Sequence, residues 1–304
     1  MAINIISSET YNKKLTDTLD KVLVQKATTG FLADNALRSK FVGAKTVLIP
    51  EVGMSALADY DRDNGFTQGS ISVTNTPFTL QQDRGRSFML DAQDSDELGI
   101  SNLIGQVTTE FVRTKVIPEM DAYVLSKLGG LAVTNAQTVD NGEDALATLQ
   151  NAILKVKKAN GYDEEMVAFV DDTFYAALLN SPSITRHLVV SEFKHGALNT
   201  KVTTFNGVPI LPVDDTRMKT AYVFHDGVTA GQEEGGFVPA EAAKSIRLLA
   251  MPKNGASLVK KTEKTRTFTP EQNIHADAYR VNYRVYYDLF VKNSKKGTIW
   301  AVVE

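Results

Sequence analysis

Four histidines, His187, His195, His225 and His275, are the first residues to test for metal or acid–base chemistry. Only His187 and His195 are close in sequence, and no HExxH or similar ligand spacing occurs, so ordinary side chains are the simpler reading. Asp59, Asp61 and Asp63 alternate with Tyr60 and Arg62 as the start of a calcium loop would. The continuation Asn64-Gly65-Phe66 lacks the terminal Glu that would close such a loop, which leaves a solvated acidic turn. Asp171-Asp172 ends the apolar run MVAFVD and could offer paired carboxylates to an active site, although Asp172 also suits the cap of a following helix. The glycine-rich stretch Gly227–Gly236 has no Lys-Ser or Lys-Thr at P-loop spacing and reads as a flexible connector. There is no GxSxG elbow, and no Cys in 304 residues, so thiol nucleophiles, thiolate metal sites and disulfides are excluded. No catalytic constellation, cofactor site or metal site is assembled from these residues.

The elements that carry them are more informative. A helix is expected near Thr16–Ala27, with Leu15, Leu19, Val22 and Leu23 as a narrow apolar stripe that must pack on something else. Residues Thr46 to Asp91 read as a long two-stranded excursion: Val47 and Ile49 open it, and DYDRDNGFTQGS forms its centre. Ile71, Val73, Phe78, Leu80, Phe88 and Leu90 mark the return, interrupted at Pro77. The centre has almost no apolar mass apart from Phe66, and an isolated ribbon is marginal in water, so something outside the subunit must hold it.

From Asp94 to Leu128 runs a helical pattern about 50 Å long, capped by Asp94, Ser95 and Asp96 and ended by Gly129-Gly130, and Pro118 should kink it or begin a second segment. A second helix begins at Glu143-Asp144 and ends near Asn160-Gly161; strands follow at Met166–Asp171, around NGVPILPVDD and at Thr220–Asp226. The cleanest pattern comes last. Tyr279, Val281, Tyr283, Val285, Tyr287, Leu289 and Val291 take every odd position, which predicts a long strand with one buried face. The segment NSKKG should turn it back as TIWAVV, with Ser257–Phe268 pairing nearby. The fold class is α+β, a long helix beside long antiparallel strands.

Composition is that of an ordinary globular chain, 43% hydrophobic and 23% charged. No stretch approaches the roughly 20 apolar residues of a membrane span, and MAINIISSET lacks the features of a secretory signal, so a soluble chain made in the cytoplasm is expected. The net charge of −3 argues against a dedicated nucleic-acid binder, but its distribution is uneven. Ten acids against four arginines give Thr46–Thr114 a charge of −6, whereas twelve bases against six acids give Glu241–Glu304 a charge of +6. Such patches can meet within one subunit or between identical neighbours.

Three segments, FTLQQDRGRSFMLDAQDSDE (Phe78–Glu97), KVIPEMDAYVLSKL (Lys115–Leu128) and ADAYRVNYRVYYDLFV (Ala276–Val291), together with their order, carry a family resemblance. The chain resembles the major capsid proteins of tailed bacteriophages, the Hong Kong ninety-seven fold also found in encapsulins. The resemblance implies an N-terminal arm over 1–44, an extended loop over 45–91 and a peripheral domain with its spine helix over 92–140. It implies a mainly axial domain over 141–256 and closing peripheral strands over 257–304. The implied function is a non-enzymatic shell subunit that assembles through hexamers and pentamers around double-stranded DNA, bound without sequence specificity. A portal protein and a separate scaffolding protein are the implied partners, with assembly in the host cytoplasm and no membrane. Contacts between subunits are expected from the loop residues Asp59, Asp61, Asp63 and Phe66 and from the bases Lys260, Lys261, Lys264 and Arg266. The alternatives are an encapsulin-like compartment, another virion component such as a tail or decoration protein, and a soluble α+β enzyme with carboxylates near Asp171.

Overall fold

A computed structural model describes residues 15, 18–19, 27–33, 41–42, 45–91, 100–136, 142–181, 188–195, 198–274 and 276–304. The strands in chain order are β1 (Phe41–Val42), β2 (Thr46–Met54), β3 (Ile71–Thr79), β4 (Gln82–Asp91), β5 (Val133–Ala136), β6 (Met166–Asp171), β7 (Leu188–His195) and β8 (Leu198–Phe205). They continue as β9 (Val208–Val213), β10 (Tyr222–Phe224), β11 (Phe237–Pro239), β12 (Ile246–Pro252), β13 (Ser257–Phe268), β14 (Ala278–Phe290) and β15 (Trp300–Val303). The helices are α1 (Ile100–Phe111), α2 (Ile117–Leu131), α3 (Gly142–Asn160), α4 (Asp172–Leu179) and the short α5 (Asn293–Lys296).

Between α1 and α2 the chain passes through a π-helical turn at Val112–Val116, so the long helix is continuous across Pro118. Pro118 falls in the first turn of α2, where its missing N–H costs least, and the wider turn just upstream accommodates its ring. The expected stop at Gly129-Gly130 is not one, because α2 runs on to Leu131. Gly129 has a packing role instead: a Cβ there would lie 2.5 Å from Ile246 Cδ1, so any larger residue would have to displace the end of that side chain on β12. The caps expected at Asp94, Ser95 and Asp96 lie outside the described residues, as do Val22 and Leu23 of the first expected helix, whose Leu15 and Leu19 are buried.

Two sheets flank this helix. In one, β14 lies between β13 and β4, all antiparallel. In the other the order is β5-β15-β12-β6-β9-β8-β7, with β6 and β9 parallel. Tyr283, Val285, Tyr287 and Leu289 are buried with the long helix, as the odd-position pattern requires, and Val281 is buried too. Tyr286 and Phe290 are buried as well, because the root of the β2–β3 hairpin covers the other face there, and Asp288 is buried where Tyr123 of the long helix and the Gln81 amide both reach its carboxylate. TIWAVV does not return onto β14: the turn at α5 delivers β15 to the other sheet, between β12 and β5.

The excursion is also shorter than its pattern suggested. β2 pairs with β3 from Thr46↔Thr79 to Met54↔Ile71, but β4 leaves the hairpin and pairs with β14. The elbow between them is Leu80-Gln81. Tyr286 Oη donates to the Leu80 carbonyl at 3.1 Å, and the Gln81 N–H donates to Asp288 Oδ2 at 3.1 Å. A second buried carboxylate, Asp121 on α2, receives Thr29 Oγ1 at 2.6 Å and the Thr28 and Thr29 amides at 3.1 and 3.0 Å. Burial pushes that carboxyl up against these hydrogen bonds and the Arg217 guanidinium 3.6 Å away.

Candidate assembly interface

The hairpin changes character along its length. Its inner face at the root, Val47 and Ile49, is buried with Leu80, Val259, Tyr286 and Phe290. Farther out the same face carries Glu51, Gly53, Ser72 and Thr74, and Glu51 Oε1 receives the Asn293 amide at 2.8 Å as the last tie to the body. On the opposite face, Val52 pairs with Val73 and Met54 with Ile71. These four are 60%, 64%, 75% and 74% exposed, respectively. Because side chains alternate along a strand, this stripe points away from the face that docks on the subunit's own core. The subunit cannot cover it by closing the hairpin down.

Past Met54 the ladder continues through Ser55, whose N–H donates to the Ser70 carbonyl at 3.0 Å while the Ser70 amide donates to Ser55 Oγ at 2.8 Å. The tip then projects Leu57 and Phe66, both above 90% exposed, with the Tyr60 ring edge-on to Phe66 at 4.9 Å. The acids sort by role. Asp61 and Gly65 exchange backbone hydrogen bonds around a tight turn, with Gly65 at φ +85°. The Asp61 carboxylate receives Asn64 Nδ2 at 2.6 Å and the Asp63 amide at 2.8 Å, which hold it below the usual carboxylate range. That carboxylate therefore serves the turn. No group of three or more His, Asp or Glu side chains suited to a metal occurs among the described residues.

The four basic candidates separate too. Lys260 is buried and 3.2 Å from Glu263, which also receives Tyr283 Oη at 3.1 Å; it faces the subunit's own core and is withdrawn as a contact for a neighbour. The cause is a bulge between Lys260 and Thr262, which puts Lys260 and Glu263 on one face and breaks the simple alternation. Lys261 is half-buried, its ammonium 5.0 Å over the Phe41 ring. Lys264 and Arg266 are exposed, opposite Arg284 and Asn282 of β14. Arg284 is itself paired with Asp83 at 2.5 Å. Among the described residues no contact brings these bases to the hairpin tip.

The remaining chemical candidates are structural. Asp171 caps α4 by receiving the Phe174 amide at 2.7 Å, and its other oxygen receives Arg247 Nη1 at 2.6 Å. The cap is thus Asp171 and not Asp172, which is exposed in the first helical turn. Burial raises the Asp171 carboxyl while the Arg247 hydrogen bond opposes it. A carboxylate committed to a cap and an arginine has no free oxygen for acid–base catalysis, and the enzyme reading draws no support from it. His225 contributes its backbone carbonyl to Arg84, and His187 and His275 lie outside the described residues.

The glycine-rich connector is not loose. It is the tip of the β10–β11 hairpin, lying over β4 and the long helix beside a cleft of about 620 Å³. Arg84 binds Glu119 through Nε and Nη2 at 2.6 and 3.2 Å and donates Nη1 to the His225 carbonyl at 2.8 Å; Arg86 donates to the Glu233 carbonyl at 3.1 Å. Asp226 ties the turn by receiving Thr229 Oγ1 at 2.6 Å and the Thr229 and Val228 amides, both at 2.8 Å. Those bonds hold its carboxyl down at about 2, from an ordinary value of 3.8. A depressed carboxyl stabilises its turn fully above the unfolded value and loses that contribution as pH falls through the folded one. The expected result is an Asp226 side-chain NMR titration with its midpoint near 2, moved upward by Thr229→Val. A midpoint at the ordinary value would show the turn unformed.

No protein-family model matches the sequence, and no curated protein is similar to it. Solved structures do match. The capsid structure of the cyanophage P-SCSP1u aligns with 87% of this chain and 84% of its own at a TM-score of 0.59 and 13% identity. The asymmetric unit of the mature capsid of bacteriophage PhiM1 aligns over 86% and 82% at a TM-score of 0.55 and 15% identity. A virus-like particle from Pyrococcus furiosus aligns over 97% and 98% at a TM-score of 0.51 and 11% identity. At such identities the likeness is one of architecture, and the chain has the fold of the phage capsids, the fold its sequence resembles.

Proposed function

We propose that the chain is a major capsid protein, a non-enzymatic subunit that assembles through hexamers and pentamers into an icosahedral shell around double-stranded DNA. The observation that carries this reading is the hairpin: Val52, Met54, Ile71 and Val73 form an exposed apolar stripe on the face that its own subunit cannot cover. A stripe of this kind gains burial only against another molecule, and a shell of identical copies supplies one at every position. In this reading residues 1–44 are the arm, 45–91 the extended loop, 92–140 and 257–304 the peripheral domain and 141–256 mainly the axial domain. Asp59, Asp63 and Phe66 at the tip are contacts to a neighbour, with Lys264 and Arg266 as the accessible bases for the acids. A portal, a separate scaffolding protein and assembly in the host cytoplasm complete the proposal.

The test is electron microscopy with light scattering on the purified chain, alone and with a scaffold encoded beside it. Closed shells, or rings of five and six, are expected; a compact monomer under every condition would end the shell reading. Shells that fill with a host protein rather than DNA would point to a cargo compartment. The sequence also bears on the covalent state. No Lys occurs between Lys45 and Lys115, so the hairpin offers no amine for an isopeptide bond to a neighbour. Mature particles boiled in detergent should run as a single band at the mass of the unlinked subunit, and a ladder of higher bands would contradict this.

A further inference from the structure

The carboxyl half of α3 carries cations that the contacts above leave unused. Lys155 and Lys158 are exposed and Lys157 is half-buried. The surface continues onto α5, where Lys295 Nζ donates to Asn160 Oδ1 at 2.5 Å, and onto β15, where the Trp300 ring lies 5.7 Å beneath Lys155 Nζ. Asp163 is exposed, and the other acids nearby are committed. Glu164 is held by Asn160 at 2.9 Å, with Lys295 at 3.6 Å; Glu165 pairs with Lys253 at 2.7 Å; and Glu51 binds Asn293. Lys155, Lys157, Lys158, Lys292 and Lys296 have no carboxylate partner among the described residues.

Five ammonium groups with no carboxylate partner, against one exposed acid in Asp163, repel one another unless an external anion gathers them. All five are lysines, which act as mobile point charges, where recognition of a single planar anion favours the arginine fork. A rod with closely spaced phosphates satisfies such a belt with no fixed geometry. We propose that this belt is where the chain contacts double-stranded nucleic acid, through phosphates and without reading bases. The proposal deepens the shell reading by assigning the face turned toward the packaged duplex, and it is testable without assembly.

The experiment measures binding of the full chain to a fluorescent 30-base-pair duplex of mixed sequence across a salt series. Wild type is expected to bind with an affinity that falls steeply with salt. K155Q/K158Q/K296Q should flatten the log–log slope by about 2–3 and lower affinity about tenfold or more, at roughly 0.9 of slope per phosphate contact. K115Q/K244Q, exposed on the long helix and just before β12, should bind as wild type does. The proposal falls if the triple variant matches wild type, or if the control variant loses as much. It also falls if polyglutamate displaces the duplex at equal charge, which would assign the belt to an acidic protein. Shell formation is scored separately by microscopy, so failure to assemble with duplex binding intact would count against the capsid reading and leave this one standing.

Discussion

A V52K/I71K chain is expected to fold as the wild type does and to form no shells. Both side chains are largely exposed in the subunit, so the substitutions remove no internal contact. Surface changes of this kind shift stability by about 0.5 kcal/mol or less. In an assembly the same positions sit in the apolar stripe with Met54 and Val73, where full burial of each side chain contributes about 1.5–3 kcal/mol. Two lysines forfeit that gain at two of the four positions and add the cost of removing ammonium groups from water. A closed shell repeats the contact at every subunit, so a loss modest at one contact becomes all-or-none for the particle. The measurement pairs a denaturant melt of the subunit with light scattering and microscopy after assembly. Shells at wild-type yield would show that the stripe is not an interface, and a collapsed melt would show that the hairpin is part of the subunit's own core.

The hairpin's exposure was legible in the sequence because a long alternating excursion with little besides Phe66 at its centre has nothing of its own to bury. Its end was not. Phe88 and Leu90 continue the alternation of Phe78 and Leu80, and nothing local marks Leu80-Gln81 as the place where the strand changes partner. Strand partners are chosen by distant packing, here by β14. Lys260 fails for a related reason: one extra residue on β13 reverses which side chains face inward, and bulges leave no composition signature. Gly129-Gly130 reads as a stop because glycine commonly ends helices, yet the deciding fact is Ile246, more than a hundred residues away. The lysine belt was half-visible. The +6 of the last segment holds Lys292 and Lys296, but α3 contributes its lysines from a separate stretch, and only the fold joins them.

Asp288→Ala is expected to lower stability by about 3–5 kcal/mol in urea unfolding, the scale for breaking a buried, hydrogen-bonded charge. By its even position in β14 this residue belongs on the face opposite the long helix, and yet it is wholly buried. Its Oδ1 receives Tyr123 Oη at 2.8 Å, Lys127 Nζ at 2.5 Å and the Leu289 amide at 2.7 Å, while Oδ2 receives the Gln81 amide. Burial and the Asp288 charge both push the Tyr123 phenol up, so it stays a donor at any pH where the protein is folded. Alanine strands that phenol and the Gln81 N–H at once, whereas Lys127, 29% exposed, can turn to water and holds the loss toward the lower end of the range. Asn, with one carbonyl oxygen kept, should cost about 1–2 kcal/mol less than Ala. Where the loss is felt tests the node's role. Asp288 joins the long helix, β14 and the elbow from which the hairpin leaves, so amide exchange should quicken at Gln81 and through β2 and β3 before it quickens in β13. A loss spread evenly over both sheets would make Asp288 a general core contact; a loss concentrated in the hairpin would make it the pin that aims the arm at its neighbour.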